Sequence, residues 1–160
     1  MNSLILAILL TILPITELRA GLPLAISYAL ENNIPVFLIF ILILLINILI
    51  IFIIFLFLDF IHKYLMKVGW YSKLFNHIIN KFRKKVDKFE EKNKQTWFWG
   101  LVLFVAIPLP GTGAWSGCLL AWLLGLDRKK SLLAISLGVL IAGILVLAAT
   151  LGFVKFLSVF

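Results

Sequence analysis

Charge is scarce in this chain. Asp, Glu, Lys and Arg make up 14% of it, against 63% apolar residues, and its mean hydropathy is +1.14. A soluble domain of this size cannot cover so much apolar surface with so little polar material, so an integral membrane protein is expected. Cysteine occurs once, at Cys118, which excludes an internal disulfide and a cysteine-rich metal site. The histidines, His62 and His77, lie in a solvated basic stretch with no other ligand type clustered around them. Enzyme signatures are missing as well. There is no HExxH, no metal-ligand pair on one helix face, and no nucleophile with an evident histidine or carboxylate partner. Ser116 lies in Gly-Ala-Trp-Ser-Gly, which breaks the spacing of a nucleophile elbow. The expectation is a protein with no enzymatic step, no metal and no cofactor. The first residues, Met1-Asn2-Ser3, lack the basic start of a secretory signal, so the apolar beginning is expected to stay in the mature chain.

What is present is an alternation of apolar runs with broken, glycine- and proline-bearing centres. Residues 3–30 form the first unit: an apolar run Leu4–Leu13, a centre from Pro14 to Pro23, and a second apolar run Leu24–Leu30. Residues 34–58 follow, carrying Asn47 as their one polar side chain and no charge. They are long enough to cross a bilayer as a helix. Residues 59–96 hold ten of the fifteen basic residues, with apolar positions recurring every three or four. This predicts a basic amphipathic helix lying on an anionic lipid surface. The net charge of +8 is concentrated there, so an anionic leaflet is a better partner than nucleic acid, and the positive-inside rule makes this loop cytoplasmic.

Residues 97–126 form the second broken unit, with Ile107–Gly117 as its centre and no charge on either flank. Each flank reaches about half of a hydrocarbon core of roughly 30 Å. The basic run Asp127-Arg128-Lys129-Lys130 then returns the chain to the cytoplasmic face, which favours a re-entrant hairpin over a single long kinked span. Residues 131–158 are the last span, with Ala134, Gly138 and Ala142 as a small-residue packing face. The expected fold is therefore an all-α polytopic membrane protein, one domain over residues 1–160. It has two inverted repeats, each a re-entrant broken hairpin plus a full transmembrane helix, joined by the basic cytoplasmic helix. Both termini then lie outside (the N-terminus inside, if residues 3–30 instead cross as one kinked span), and the two broken centres meet near the midplane, as in many secondary transporters.

Glu17 and Arg19 are the charged residues placed inside apolar sequence away from a span end. Charge at membrane depth is costly and demands a structural or functional reason. Arg19 could hold an anionic group such as phosphate, while Glu17 could bind and release a proton. The alternative is an interfacial ion pair between two short apolar segments. In a regular helix residues two apart point away from each other, so an extended or unwound backbone is expected to bring both into one cavity. In the second centre Pro108, Pro110, Gly111 and Gly113 keep the backbone open, and its N–H groups could form an anion-binding concavity. Thr112 and Ser116 add hydroxyls, and Trp115 could wall the cavity. A tight turn packing two half-helices would use the same small residues. Asn47 is expected mainly as glue between helices, with direct ligand contact as the alternative.

Glu17-Leu18-Arg19-Ala20-Gly21-Leu22-Pro23 resembles a Glu-Leu-Arg-Gly-Ala-Ile-Pro motif of the small multidrug export protein family. Ile107–Gly117 resembles that family's second motif almost residue for residue, and Asn47 and Gly138–Gly143 also resemble family positions. The family is similar to the DedA, or SNARE-associated, superfamily of membrane proteins. That resemblance implies two facing re-entrant hairpins and proton-coupled transport of lipids or lipid-linked phosphates in a prokaryotic cytoplasmic membrane. It also implies an acidic residue in the first hairpin, which Glu17 fits, and an arginine in the second. Here the second hairpin has no arginine; Arg128 lies beyond its end, so Arg19 would have to stand in. The function expected is a small transporter, a proton-coupled flippase or exporter of an amphipathic, anionic lipid-type substrate. The alternative is a non-transporting structural partner or a holin-like pore former. A homodimer fits either, because a unit this small encloses little volume.

Overall fold

The computed structural model describes residues 3–65, 96–109 and 111–157. These are helical, with no strand among them: α1 is Ser3–Ile12, α2 Glu17–Glu31, α3 Val36–Leu65, α4 Thr96–Ala106, α5 Ala114–Leu123 and α6 Arg128–Leu157. The order short, short, long therefore occurs twice. The two long helices are apolar and long enough to cross a membrane, and the chain is a membrane protein.

Local sequence explains where each element stops. After α2 the Ile34 N–H bonds the Ala29 carbonyl at 2.8 Å, and Asn33 takes φ +55°. After α5 the Leu126 N–H bonds the Ala121 carbonyl at 3.0 Å, and Gly125 takes φ +65°. Both are the left-handed helix stop that asparagine and glycine tolerate. The same device thus ends the second short helix of each half. At the start of α6 the Asp127 carboxylate accepts the Lys130 N–H at 2.9 Å, an N-cap bond. The helix consequently begins at Arg128, three residues before the apolar run expected at Ser131.

Three boundaries differ from the sequence expectations. The break in the first unit is confined to residues 13–16: α2 begins at Glu17 and carries Pro23 inside it. Glu17 and Arg19 are therefore in the first turn of a helix and not on an extended segment. Pro23 cannot donate to the carbonyl four residues earlier, that of Arg19, and the helix continues without that bond. In the second unit α5 resumes at Ala114, so Trp115 and Ser116 are helical and the open stretch ends at Gly113. Finally, α3 runs on past Leu58 to Leu65 as helix. The basic amphipathic helix expected over 59–96 falls mostly on residues 66–95, outside the described residues, as does Pro110.

The contacts fix how the helices lie. Asn47 of α3 shares a cavity with Val139 and Ala142 of α6, and Asp59 of α3 meets Arg128 of α6, so the long helices are antiparallel. An added Cβ at Gly21 would strike Thr11, so α1 and α2 pack closely side by side. At Gly138 an added Cβ would lie 2.6 Å from the Val105 Cβ. Ala134, Gly138 and Ala142 are all buried, and the small face of α6 is where α4 seats. Pro108, after α4, lies with Leu145 and Phe153 of α6, while Trp122, near the end of α5, bonds Asp59. The break between α4 and α5 thus points toward the Phe153 end of α6, and the outer end of α5 toward the Arg128 end. Leu22, Ile26, Ile43, Ile51, Val102 and Ile135 fill the shared core.

Candidate functional site

Glu17 reaches out of the first unit into the second. Its carboxylate accepts the backbone N–H of Ala114 at 3.1 Å through Oε2 and of Trp115 at 3.0 Å through Oε1. These are among the first N–H groups of α5, which have no partner within their own helix. A negative charge there also opposes the positive end of the helix dipole. Glu17 is buried and holds φ +46°, an uncommon backbone conformation for a residue with a side chain. Two amides just after the second centre thus hold this chain's own carboxylate.

Arg19 makes the complementary contact. Its Nη2 donates to the Ile107 carbonyl at 3.0 Å and to Thr112 Oγ1 at 2.7 Å. Ile107 directly follows α4, where carbonyl groups lack helical partners and the dipole is negative. Thr112 Oγ1 also lies 2.7 Å from the Ile107 carbonyl and 2.9 Å from that of Leu109, closing the open stretch on itself. The acid therefore meets the start of one half-helix and the base meets the end of the other. Arg19 Nε and Nη1 make no hydrogen bond among the described residues.

The break is reinforced by Trp115, whose Nε1 donates to the Ile12 carbonyl at the end of α1 at 3.1 Å. Gly113 holds φ +152°, and a Cβ built there would land on the Glu17 carboxylate, so both conformation and space require glycine. Asn47 is buried beside this group and shares a small cavity with Glu17, Arg19 and Gly113.

A larger cavity of about 440 Å³ opens on the other side of Arg19. Arg19, Pro23 and Pro108 line it, and Leu145, Val146, Ala149, Thr150 and Phe153 of α6 form a mostly apolar wall. The structure thus brings together Glu17, Arg19, Asn47, Thr112, Gly113 and Trp115, with Pro108 at the mouth. Two candidates stand apart: Gly111 is exposed with open space around it, and among the described residues Ser116 Oγ bonds only the Gly113 carbonyl, at 3.4 Å.

One cluster escaped the sequence. Asp59 pairs with Arg128 at 2.6 Å and accepts the Trp122 Nε1 at 3.0 Å. The Arg128 guanidinium lies 5.2 Å from the Phe55 ring centroid. Nothing in the local sequence joins these residues, which come from three helices. Arg128 and Ala149, which line cavities at the two ends of α6, are roughly 30 Å apart along that helix. Arg128 therefore lies far from the second centre, which Arg19 contacts. Among the described residues no three His, Cys, Asp or Glu side chains come together to hold a metal ion.

A family model described as "Putative small multi-drug export protein" matches residues 17–145. No curated protein and no solved structure matches the chain.

Proposed function

This chain belongs to the small multi-drug export protein family, and on that premise we propose that it is a proton-coupled transporter of an amphipathic anion of the lipid type. The observation that carries this reading is Arg19 in the lining of the otherwise mostly apolar 440 Å³ cavity, with guanidinium donors to spare. An acyl chain suits the Leu145–Phe153 wall, and a phosphate or carboxylate head group suits a guanidinium. The α5 N-terminus adds a seat for an anion that Glu17 fills with its own carboxylate. When Glu17 takes a proton it loses its charge and with it most of its hold on the Ala114 and Trp115 N–H groups. An anionic head group drawn in by Arg19 takes that place, and loss of the proton returns Glu17 and expels the anion. Proton and substrate are thereby exchanged at one pair of amides.

In this reading the two short-helix pairs are re-entrant hairpins entering from opposite faces, and the halves are inverted repeats. Support comes from the repeated left-handed helix stops at Asn33 and Gly125 and from the antiparallel long helices. The level of Glu17, beside Val139 and Ala142 near the centre of α6, supports a site at the bilayer midplane. The basic stretch from Lys63 to Lys94 then faces the cytoplasm of a prokaryotic cell and binds anionic lipid. No enzymatic step belongs to the mechanism.

The test is transport in proteoliposomes, with and without an imposed pH gradient. Labelled phosphatidylglycerol, a polyprenyl phosphate and zwitterionic phosphatidylcholine would be compared. Gradient-dependent movement of the anionic lipids, lost in Glu17→Gln and Arg19→Gln, is the expected result. Movement that survives both substitutions removes the site. No movement of any probe by folded protein removes the transporter reading in favour of a structural or pore-forming role.

A further inference from the structure

Asn47 is a buried polar side chain that the fold satisfies on one side only. It is 1% exposed. Its Nδ2 makes a long 3.5 Å contact to the Thr11 carbonyl, and its Oδ1 meets no donor among the described residues. Turning the amide over gives no relief, because Oδ1 would then face the Thr11 carbonyl, acceptor against acceptor. A buried amide oxygen without a donor is costly, and natural structures seldom leave one.

A cavity of about 10 Å³ lies against it, with Glu17, Arg19 and Asn47 as its polar lining and Val105, Val139 and Ala142 among its apolar walls. That is about the volume one water molecule needs, and a buried water also needs two to four polar partners. The polar lining decides what kind of guest fits. Asn47 Oδ1 and the Glu17 carboxylate both accept, so the guest must donate twice. A metal cation would meet opposition, since Arg19 and the N-terminus of α5 already balance the single charge of Glu17. The titratable groups near Glu17 are Arg19 on its own helix and Cys118 on α5; α3 offers Asn47, and α6 offers only Val139 and Ala142.

We propose that Asn47 and Glu17 hold one water molecule between them, and that this water is the partner with which Glu17 exchanges its proton. A proton arriving as hydronium passes to the Glu17 carboxylate and leaves water behind; the reverse transfer restores hydronium. Asn47 is a positioning residue, fixing the water oxygen within reach of Glu17. Arg19 lines both this cavity and the 440 Å³ one, so it is the wall past which the proton reaches the outside. The proton-exchange role builds on the transport reading above, but neither experiment below requires transport.

The first experiment is a crystal structure of the full chain in a lipid phase, at a resolution that shows ordered water. A peak within hydrogen-bond distance of both Asn47 Oδ1 and Glu17 is expected. Asn47 Oδ1 turned onto a protein donor with no such peak overturns the proposal, and so does a peak with the short, many-oxygen coordination of a metal ion. The second uses infrared spectroscopy on folded wild type and Asn47→Leu, with the Glu17 carboxyl band assigned through Glu17→Gln. At a pH low enough to protonate Glu17, hydrogen–deuterium exchange of its carboxyl should slow by about tenfold or more in Asn47→Leu. Equal exchange rates overturn the role given to the water. A positive result here alongside no transport in liposomes would leave the water site standing and remove the transporter.

Discussion

Glu17 and Ala114 meet end to end across the two halves of the chain: Glu17 Oε2 accepts the Ala114 amide at 3.1 Å, and its second oxygen takes the amide of Trp115. One side chain thus serves as the N-terminal cap of a helix almost a hundred residues away, in place of the local Ser, Thr, Asn or Asp that most helices use. Gly113, which precedes α5, has no side chain to offer.

This arrangement predicts a graded loss of stability. Glu17→Gln keeps one acceptor but turns a donor toward an N–H, while Glu17→Ala leaves both amides bare. Glu17→Ala is expected to lose about 1.5–3 kcal/mol, the range for hydrogen bonds to a charged group, and Glu17→Gln less. Unfolding in mild detergent followed by tryptophan fluorescence gives the order directly. A Glu17→Ala protein as stable as wild type would show that the cap does not hold α5.

Two glycines in one turn separate conformation from space. Gly111 has φ +83° and open space around it, whereas Gly113 has φ +152° and faces the Glu17 carboxylate. Gly111→Ala meets only the backbone cost of a left-handed residue, about 1–2 kcal/mol. Gly113→Ala adds displacement of Glu17 to a backbone cost of about 1–3 kcal/mol. It should therefore be the less stable of the two in the same assay, and transport should fall only with Gly113→Ala. Equal behaviour of the two variants would argue that Glu17 is not seated against Gly113.

Arg19 bridges the Ile107 carbonyl and Thr112 through one nitrogen while its other donors remain for an anion. Lysine carries the charge but not the planar fork. Arg19→Lys should therefore keep most of the fold yet bind a phosphate-bearing lipid at least several-fold more weakly. Thr112→Val removes one acceptor and is expected to cost about 0.5–1.5 kcal/mol, with head-group affinity largely kept. Lipid binding by native mass spectrometry reads both. If Thr112→Val lowers affinity as much as Arg19→Lys, the hydroxyl and not the guanidinium faces the ligand.

Much of the helix pattern could be read from the residues. The uninterrupted Val36–Leu58 run and the small residues Ala134, Gly138 and Ala142 carry their roles in their spacing, since one exceeds the length of a bilayer core and the others recur at one helix face. Pro23 misled because proline within a helix costs one bond and does not compel a break. The meeting of Glu17 with the second centre followed from the plan of two broken units that face each other. That its partners are the amides of α5 did not, because backbone N–H groups leave no mark in the residue letters. The Asp59–Trp122–Arg128 cluster stayed hidden for a related reason: each residue belongs to a different helix, and only packing brings them together.

That cluster yields the prediction that best separates the two arginines. The Arg128–Asp59 pair is about half exposed on each side, 48% and 45%, so water screens it. A double-mutant cycle with Arg128→Gln and Asp59→Asn should give a coupling of about 1 kcal/mol or less, smaller still in high salt. Arg128 also lies at the opposite end of α6 from the cavity that Arg19 lines, so Arg128→Gln should leave movement of an anionic lipid within about threefold of wild type, a change of well under 1 kcal/mol. Arg19→Gln should abolish it. If instead Arg128→Gln stopped transport while the coupling stayed small, its role could not be stability. The Arg128 end would then contain a step that the substrate must pass, and the site would extend along the whole length of α6.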